Sequence, residues 1–138
     1  MVAYWVPDQQ PRVGTPYDFG YTLSWYGDDP ARPAHGRVTA THRDGSDREG
    51  GHRFVVDFAG TALDAVPADQ ILRGDVTIAS GEDSAEILEQ HVVKNPVTGG
   101  WRLTFRLRPK TGSTIDLRAY LDKGSETLTE TWSYLLHP

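Results

Sequence analysis

The stretch 99–134 constrains the fold more than any other part of this chain, because period-two alternation runs through most of it. Trp101, Leu103, Phe105 and Leu107 fall in one phase, while Arg102, Thr104, Arg106 and Arg108 fall in the other. Ile115, Leu117, Ala119 and Leu121 repeat the pattern, and a Lys123-Gly124 turn returns the chain into Leu128, Trp132 and Tyr134. Successive side chains of an extended strand point to opposite faces, so this pattern buries one face of an antiparallel pair and wets the other.

Earlier segments follow the same rule. Residues 17–25 place Tyr17, Phe19, Tyr21, Leu23 and Trp25 on one face, and the Gly27-to-Pro30 cluster with Pro33 ends the run. Residues 2–6 form a short strand that stops at Pro7, and residues 36–43 form another. In 53–59, Phe54, Val56 and Phe58 point inward, with Val55 and Asp57 opposite. Residues 75–80 and 84–94 resume the strands, and 95–100 is a hairpin loop. Within 61–72, Ala62, Leu63, Val66 and Ile71 fit one helical turn, but Pro67 forbids a long helix. Eight or nine short strands with no long helix predict an all-β fold, an immunoglobulin-like antiparallel β-sandwich in a single domain over 1–138. Trp101, Leu103, Phe105, Leu117 and Trp132 are expected to be buried together, and Trp25 with them.

Charge narrows the partners. The chain carries 14 basic and 19 acidic side chains, a net charge of −5, and lacks the concentrated basic footprint that nucleic acid demands. The local exception is the row Arg102, Arg106, Arg108 and Lys110, read as a solvated strand face that discourages edge-to-edge pairing. No apolar run is long enough for membrane insertion. Pro7, Asp8, Pro11 and Arg12 interrupt any secretory core near the start. With no cysteine, neither disulfide, thiolate metal site nor cysteine nucleophile is available.

No catalytic constellation stands out. Glycoside hydrolysis needs two carboxylates in distinct roles, but the adjacent pairs Asp28-Asp29 and Glu82-Asp83 sit in turns, where such groups ordinarily cap backbone amides. Glu130 shares its phase with Leu128, Trp132 and Tyr134, which points it at the core. Asp57 lies between Phe54 and Phe58, and its expected partner is an arginine such as Arg53 or Arg118. The histidines His35, His42, His52, His91 and His137 show no metal-ligand spacing. No cofactor or metal is expected. Aromatic rings beside carboxylates remain the one binding signal. Tyr4, Trp5, Tyr26, Asp28 and Asp29 are the candidate contacts for a glucan or a neighbouring domain.

The wording of several strands resembles a known family. GGWRL (99–103), LRAYL (117–121) and TETWSY (129–134), together with VAYWVP (2–7), WYGDDP (25–30) and RFVVDFAG (53–60), are similar to the C-terminal end of the periplasmic glucan biosynthesis proteins G and D. The resemblance covers nearly the whole chain in order. It implies a periplasmic location and a role in making osmoregulated glucans with a β-1,2-linked backbone. Members of the family carry a larger β-rich domain in front, which holds the glucan-cleaving carboxylates, so no position here inherits those roles. The resemblance therefore implies an accessory C-terminal domain, not itself an enzyme, that walls a glucan cleft with that N-terminal partner. Met1 reads as an added initiator, since the family continues upstream of Val2. Two rival readings are a small autonomous glycoside hydrolase using Asp28, Asp29, Asp57 or Glu130, and an adhesive immunoglobulin-like module.

Overall fold

The computed structural model describes residues 6, 8, 10–23, 25 and 34–138. It divides into two units, 1–32 and 33–138. Tyr4, Trp5, Tyr26, Asp28 and Asp29 lie outside the described residues, as does most of the expected strand at 2–6.

In the first unit the expected strand at 17–25 is not formed among the described residues. Tyr17, Phe19, Tyr21, Leu23 and Trp25 are all exposed, Trp25 at 90%, so its expected burial is overturned. Alternation supplies an apolar face but no pairing partner, and an extended segment becomes a strand only when another strand takes its backbone groups. Within the segment, the rings of Tyr17 and Phe19 lie 6.3 Å apart and those of Phe19 and Tyr21 6.5 Å apart between centroids.

The second unit is an antiparallel β-sandwich. Its strands are β1 (Arg37–Arg43), β2 (His52–Ala59), β3 (Arg73–Ile78), β4 (Ala85–Lys94), β5 (Trp101–Pro109), β6 (Ile115–Lys123), β7 (Glu126–Thr127) and β8 (Trp132–Leu136). One sheet runs β1-β2-β5-β4; the other runs β3-β6-β7, with β8 also paired to β6. The ambiguous stretch after β2 holds a single helical turn, α1 (Thr61–Asp64), which ends ahead of Pro67 as expected.

Register turns the alternation into a core. Phe54 faces Phe105, Val56 faces Leu103 and Phe58 faces Trp101 across β2 and β5. All six are buried. From the other sheet, Ile115, Leu117, Ala119 and Leu121 close the layer. Trp132 sits opposite Ala119, whose small side chain leaves room for the indole. The indole reaches edge-on to Phe54 and Phe105, at 5.9 and 5.8 Å, and those two rings stack at 5.0 Å. Its Nε1 donates to Thr41 Oγ1 at 2.9 Å, so one side chain touches both sheets and fills its polar valence.

Two sequence expectations change here. Glu130 is exposed and does not face the core. The chain leaves regular strand geometry after β7, which breaks the phase count between Leu128 and Trp132. There it crosses to the first sheet: Gly36 N–H donates to Leu128 O at 2.7 Å, Glu130 N–H to Gly36 O at 2.8 Å, and Val38 N–H to the Glu130 carboxylate at 2.8 Å. Gly36 permits this close approach, because a Cβ there would collide with the Leu63 side chain. The second change concerns the arginine row, whose strand β5 lies between β2 and β4 and has no free edge to protect.

Replacing Trp132 by Ala is expected to cost ~3–5 kcal/mol, since a buried indole leaves a cavity that the two sheets cannot close. Thr41→Val, which removes only the acceptor of the indole N–H, should cost about 1–3 kcal/mol. Urea unfolding followed by tryptophan fluorescence measures both. A Trp132→Ala loss below that of Thr41→Val would contradict the packing role.

Candidate functional site

The inward phase of β2 and β5 fixes what points out. Opposite the core, the two central strands present Arg53, Val55 and Asp57 against Arg106, Thr104 and Arg102 in register. β1 adds Ala40 and His42 on one side, and β4 adds Val93, His91 and Glu89 on the other. The outcome is a polar sheet face with arginines at its centre.

Asp57 is the most enclosed carboxylate on this face, with 12% of its side chain exposed. Arg102 grips it with two parallel hydrogen bonds, Nε to Oδ1 at 2.7 Å and Nη2 to Oδ2 at 2.9 Å. Paired short charge-assisted bonds of this kind are the strong ones. They hold the Asp57 pKa below its ordinary value; burial opposes the shift, and the Arg102 charge, Asn95 and the His42 charge add to it. Arg102 is raised in return, chiefly by the same hydrogen bonds. The expected partner was Arg53 or Arg118; Arg102 takes that role because it is the residue directly opposite on the neighbouring strand. Arg53 instead stands 4.0 Å from Glu89, and Arg118 stands 3.5 Å from Asp116.

The loop between β1 and β2 forms a second charged group. Asp47 Oδ1 accepts from Glu49 N–H at 2.9 Å and Gly51 N–H at 2.8 Å, while its other oxygen accepts from Arg106 Nε at 2.8 Å. The Gly51 bond is the first cause of its lowered pKa; burial opposes, and Glu49 N–H and Arg106 reinforce it. Arg106 also donates to Glu49 at 2.8 Å, and Arg108 lies 3.6 Å from the same carboxylate. Asp44, Gly45, Asp47, Gly51, Arg53 and Arg106 line an open depression of about 260 Å³. Charged side chains and glycines line it, and Arg106 is engaged by Asp47 and Glu49.

The two carboxylates that arginines hold most closely here are kept as anions. A glycosidase acid needs a carboxyl whose pKa is raised, whereas Asp57 and Asp47 are both lowered. Glu130 is occupied by Val38 N–H. Glu82 lies in the 3-10 turn Glu82–Ser84 with Asp83, as expected of turn carboxylates, and both are exposed. No group of three potential metal ligands occurs among the described residues. Sequence reasoning missed the Asp57–Arg102 pair because alternation gives a face, while a cross-strand partner requires the register. The Asp47 turn did carry a signal, an Asp followed by Gly50-Gly51 in a polar loop.

A family model described as "Periplasmic glucan biosynthesis protein, MdoG" matches residues 1–136.

Acid should expose the Asp57–Arg102 pair. A lowered folded pKa contributes stability that is complete above the ordinary aspartate value of 3.8 and is lost as pH falls through the folded value. The unfolding free energy is therefore expected to fall as pH drops below about 4, and Asp57→Asn should flatten that fall. At neutral pH, Asp57→Ala should cost roughly 1.5–3 kcal/mol, as for hydrogen bonds to charged groups. Urea midpoints measured from about pH 7 to about pH 2.5, spanning the ordinary aspartate range, read both effects, and identical pH slopes in wild type and Asp57→Asn would refute the assignment.

Proposed function

This chain belongs to the periplasmic glucan biosynthesis protein family, MdoG, and from that premise we propose that it acts as a non-catalytic accessory domain. In this reading it is periplasmic, immunoglobulin-like in its sandwich, and serves osmoregulated glucan synthesis by supporting one wall of a glucan cleft. The other wall belongs to a larger β-rich domain of the same family. No helix among the described residues is long and apolar enough to cross a membrane.

The observation that carries the reading is the self-pairing of the outer face. Asp57, Asp47 and Glu49 are each tied to an arginine, which leaves the carboxylates as structural anions rather than proton donors. Arginine-rich, mixed polar surfaces of this kind suit the modest interfaces that join domains. Arg53 is the side chain best placed to reach across, being 55% exposed and only loosely held by Glu89.

Two measurements test this. Incubated with linear β-1,2-glucan, the chain alone is expected to release no reducing ends. Turnover that vanishes in Asp57→Asn or Glu130→Gln would replace the accessory reading with a hydrolase. Supplied as a separate polypeptide, the larger domain of a family member is expected to bind the chain in calorimetry, more weakly in high salt and in Arg53→Glu. Binding indifferent to both would move the interface off this face.

A further inference from the structure

The outer face of the second sheet holds a buried carboxylate that is short of a donor. Asp122 lies on the outward phase of β6, opposite Arg73 of β3, and only 5% of its side chain is exposed. Its Oδ1 accepts no hydrogen bond. Arg73 stands nearby, with Nη2 at 3.3 Å from Oδ1 and both Nε and Nη2 at 3.4 Å from Oδ2. Charge-assisted bonds normally close to about 2.7–2.9 Å, so the guanidinium covers the carboxylate without gripping it. With 71% of its side chain exposed, Arg73 is free to swing aside. A buried acceptor of this sort has lone pairs left for a further hydrogen-bond donor once Arg73 moves.

Two residues before it on the same face is Tyr120, part-exposed and opposite Asp75. The charge of Asp75 raises the Tyr120 pKa, with desolvation and a hydrogen bond to that carboxylate adding to the effect. The phenol thus stays neutral. Asp75 also accepts from Thr77 Oγ1 at 3.1 Å. On the far side of β6, β8 pairs with Ile115 to Ala119 and β7 with Asp122 and Lys123, so neither pairs with Tyr120. A part-exposed ring therefore stands on the sheet between two carboxylates, one of them with a buried oxygen that accepts no hydrogen bond.

The chemistry narrows the ligand. Arg73 and Arg118 nearly balance Asp75, Asp116 and Asp122 on this face, which gives a polyanion nothing to hold. A ring with an apolar face wants a flat apolar partner, and the two carboxylates want hydroxyl donors around its rim. A pyranose supplies both. We propose that Tyr120, Asp122, Arg73 and Asp75 form a subsite for one pyranose of a neutral glucan chain, with a sugar hydroxyl donating to Asp122 Oδ1. The proposal rests on the glucan role proposed above and places a sugar contact on the sheet opposite the self-paired face. Tyr120 supplies the plate, Asp122 the buried acceptor, and Arg73 the hinged cover.

Titration of the ¹⁵N-labelled chain with a linear β-1,2-linked gluco-oligosaccharide tests it. The amide shifts are expected to concentrate at Arg73, Asp75, Tyr120 and Asp122. Tyr120→Ala and Asp122→Ala should each weaken binding roughly tenfold, while Tyr120→Phe, which keeps the plate, should weaken it much less. The wild-type spectrum of dispersed amide signals, retained in each variant, separates lost binding from lost folding. Shifts gathered instead around Asp57 and Arg102 would overturn the subsite while leaving a glucan role in place. No shifts at millimolar oligosaccharide would also overturn it, and the accessory reading would still be decided by its own reducing-end and domain-binding measurements.

Discussion

The sandwich depends on the wedge of Trp132 against Phe54 and Phe105. Those two rings stack on one sheet, and the indole comes edge-on to both from the other, the arrangement that aromatic quadrupoles favour. Because the contact spans both sheets, it fixes more than a core volume. It sets which phase of β2 and β5 points inward, and by period two that choice decides everything outside. With Phe54 and Phe105 opposed and inward, Asp57 and Arg102 are opposed and outward. A one-residue slip would bury the arginines and expose the rings. The ion pair on the surface is in this sense a consequence of the aromatic contact beneath it.

The crossing between β7 and β8 shows how a carboxylate in an unusual place can be structural. Thr129 Oγ1 accepts from Leu121 N–H and donates to Glu130 O, both at 2.9 Å, while Glu130 caps Val38 N–H on the edge of the other sheet. The chain gives up regular pairing for four residues, and backbone bonds to Gly36 and Leu121, joined by the Thr129 and Glu130 side chains, satisfy the groups there. Glu130 also blocks part of an edge strand, which is one of the ways sheets avoid unwanted pairing.

Strands of the second unit were most legible from the sequence where the inward run is unbroken; β1 and β4 each carry a register shift. Trp101 through Leu107 and Ile115 through Leu121 gave both the strands and their buried faces, while Pro67 set only an outer bound on α1, which ends at Asp64. What failed needed information beyond one strand. Residues 17–25 alternate as well as any, yet the described residues among them form no strand, since a pattern cannot say whether a neighbour exists. Glu130 failed because phase counting assumes no break. The partner of Asp57 failed because it depends on register, and Arg102 was in plain view as an outward residue. Asp122 drew no notice in the sequence, because its burial depends on Arg73, which the structure places over it.

The two outer faces answer the same electrostatic problem differently. On the first sheet every guanidinium of β5 meets a carboxylate on a neighbouring element. The charges cancel locally, and the field falls off within a short distance in salt. Such a face steers nothing from afar; it discriminates by the fixed directions of its hydrogen bonds, and only a surface with matching geometry can use it. The second sheet pairs its charges loosely and leaves Asp122 Oδ1 without a donor. A loosely closed pair can exchange one partner for another at little electrostatic cost, because the outgoing Arg73 regains water as the incoming group takes its place. Tight pairing suits a face that must keep its shape, and loose pairing suits one that must change occupants. The same sandwich, held in one register by Trp132, thus carries a rigid polar face and an exchangeable one back to back.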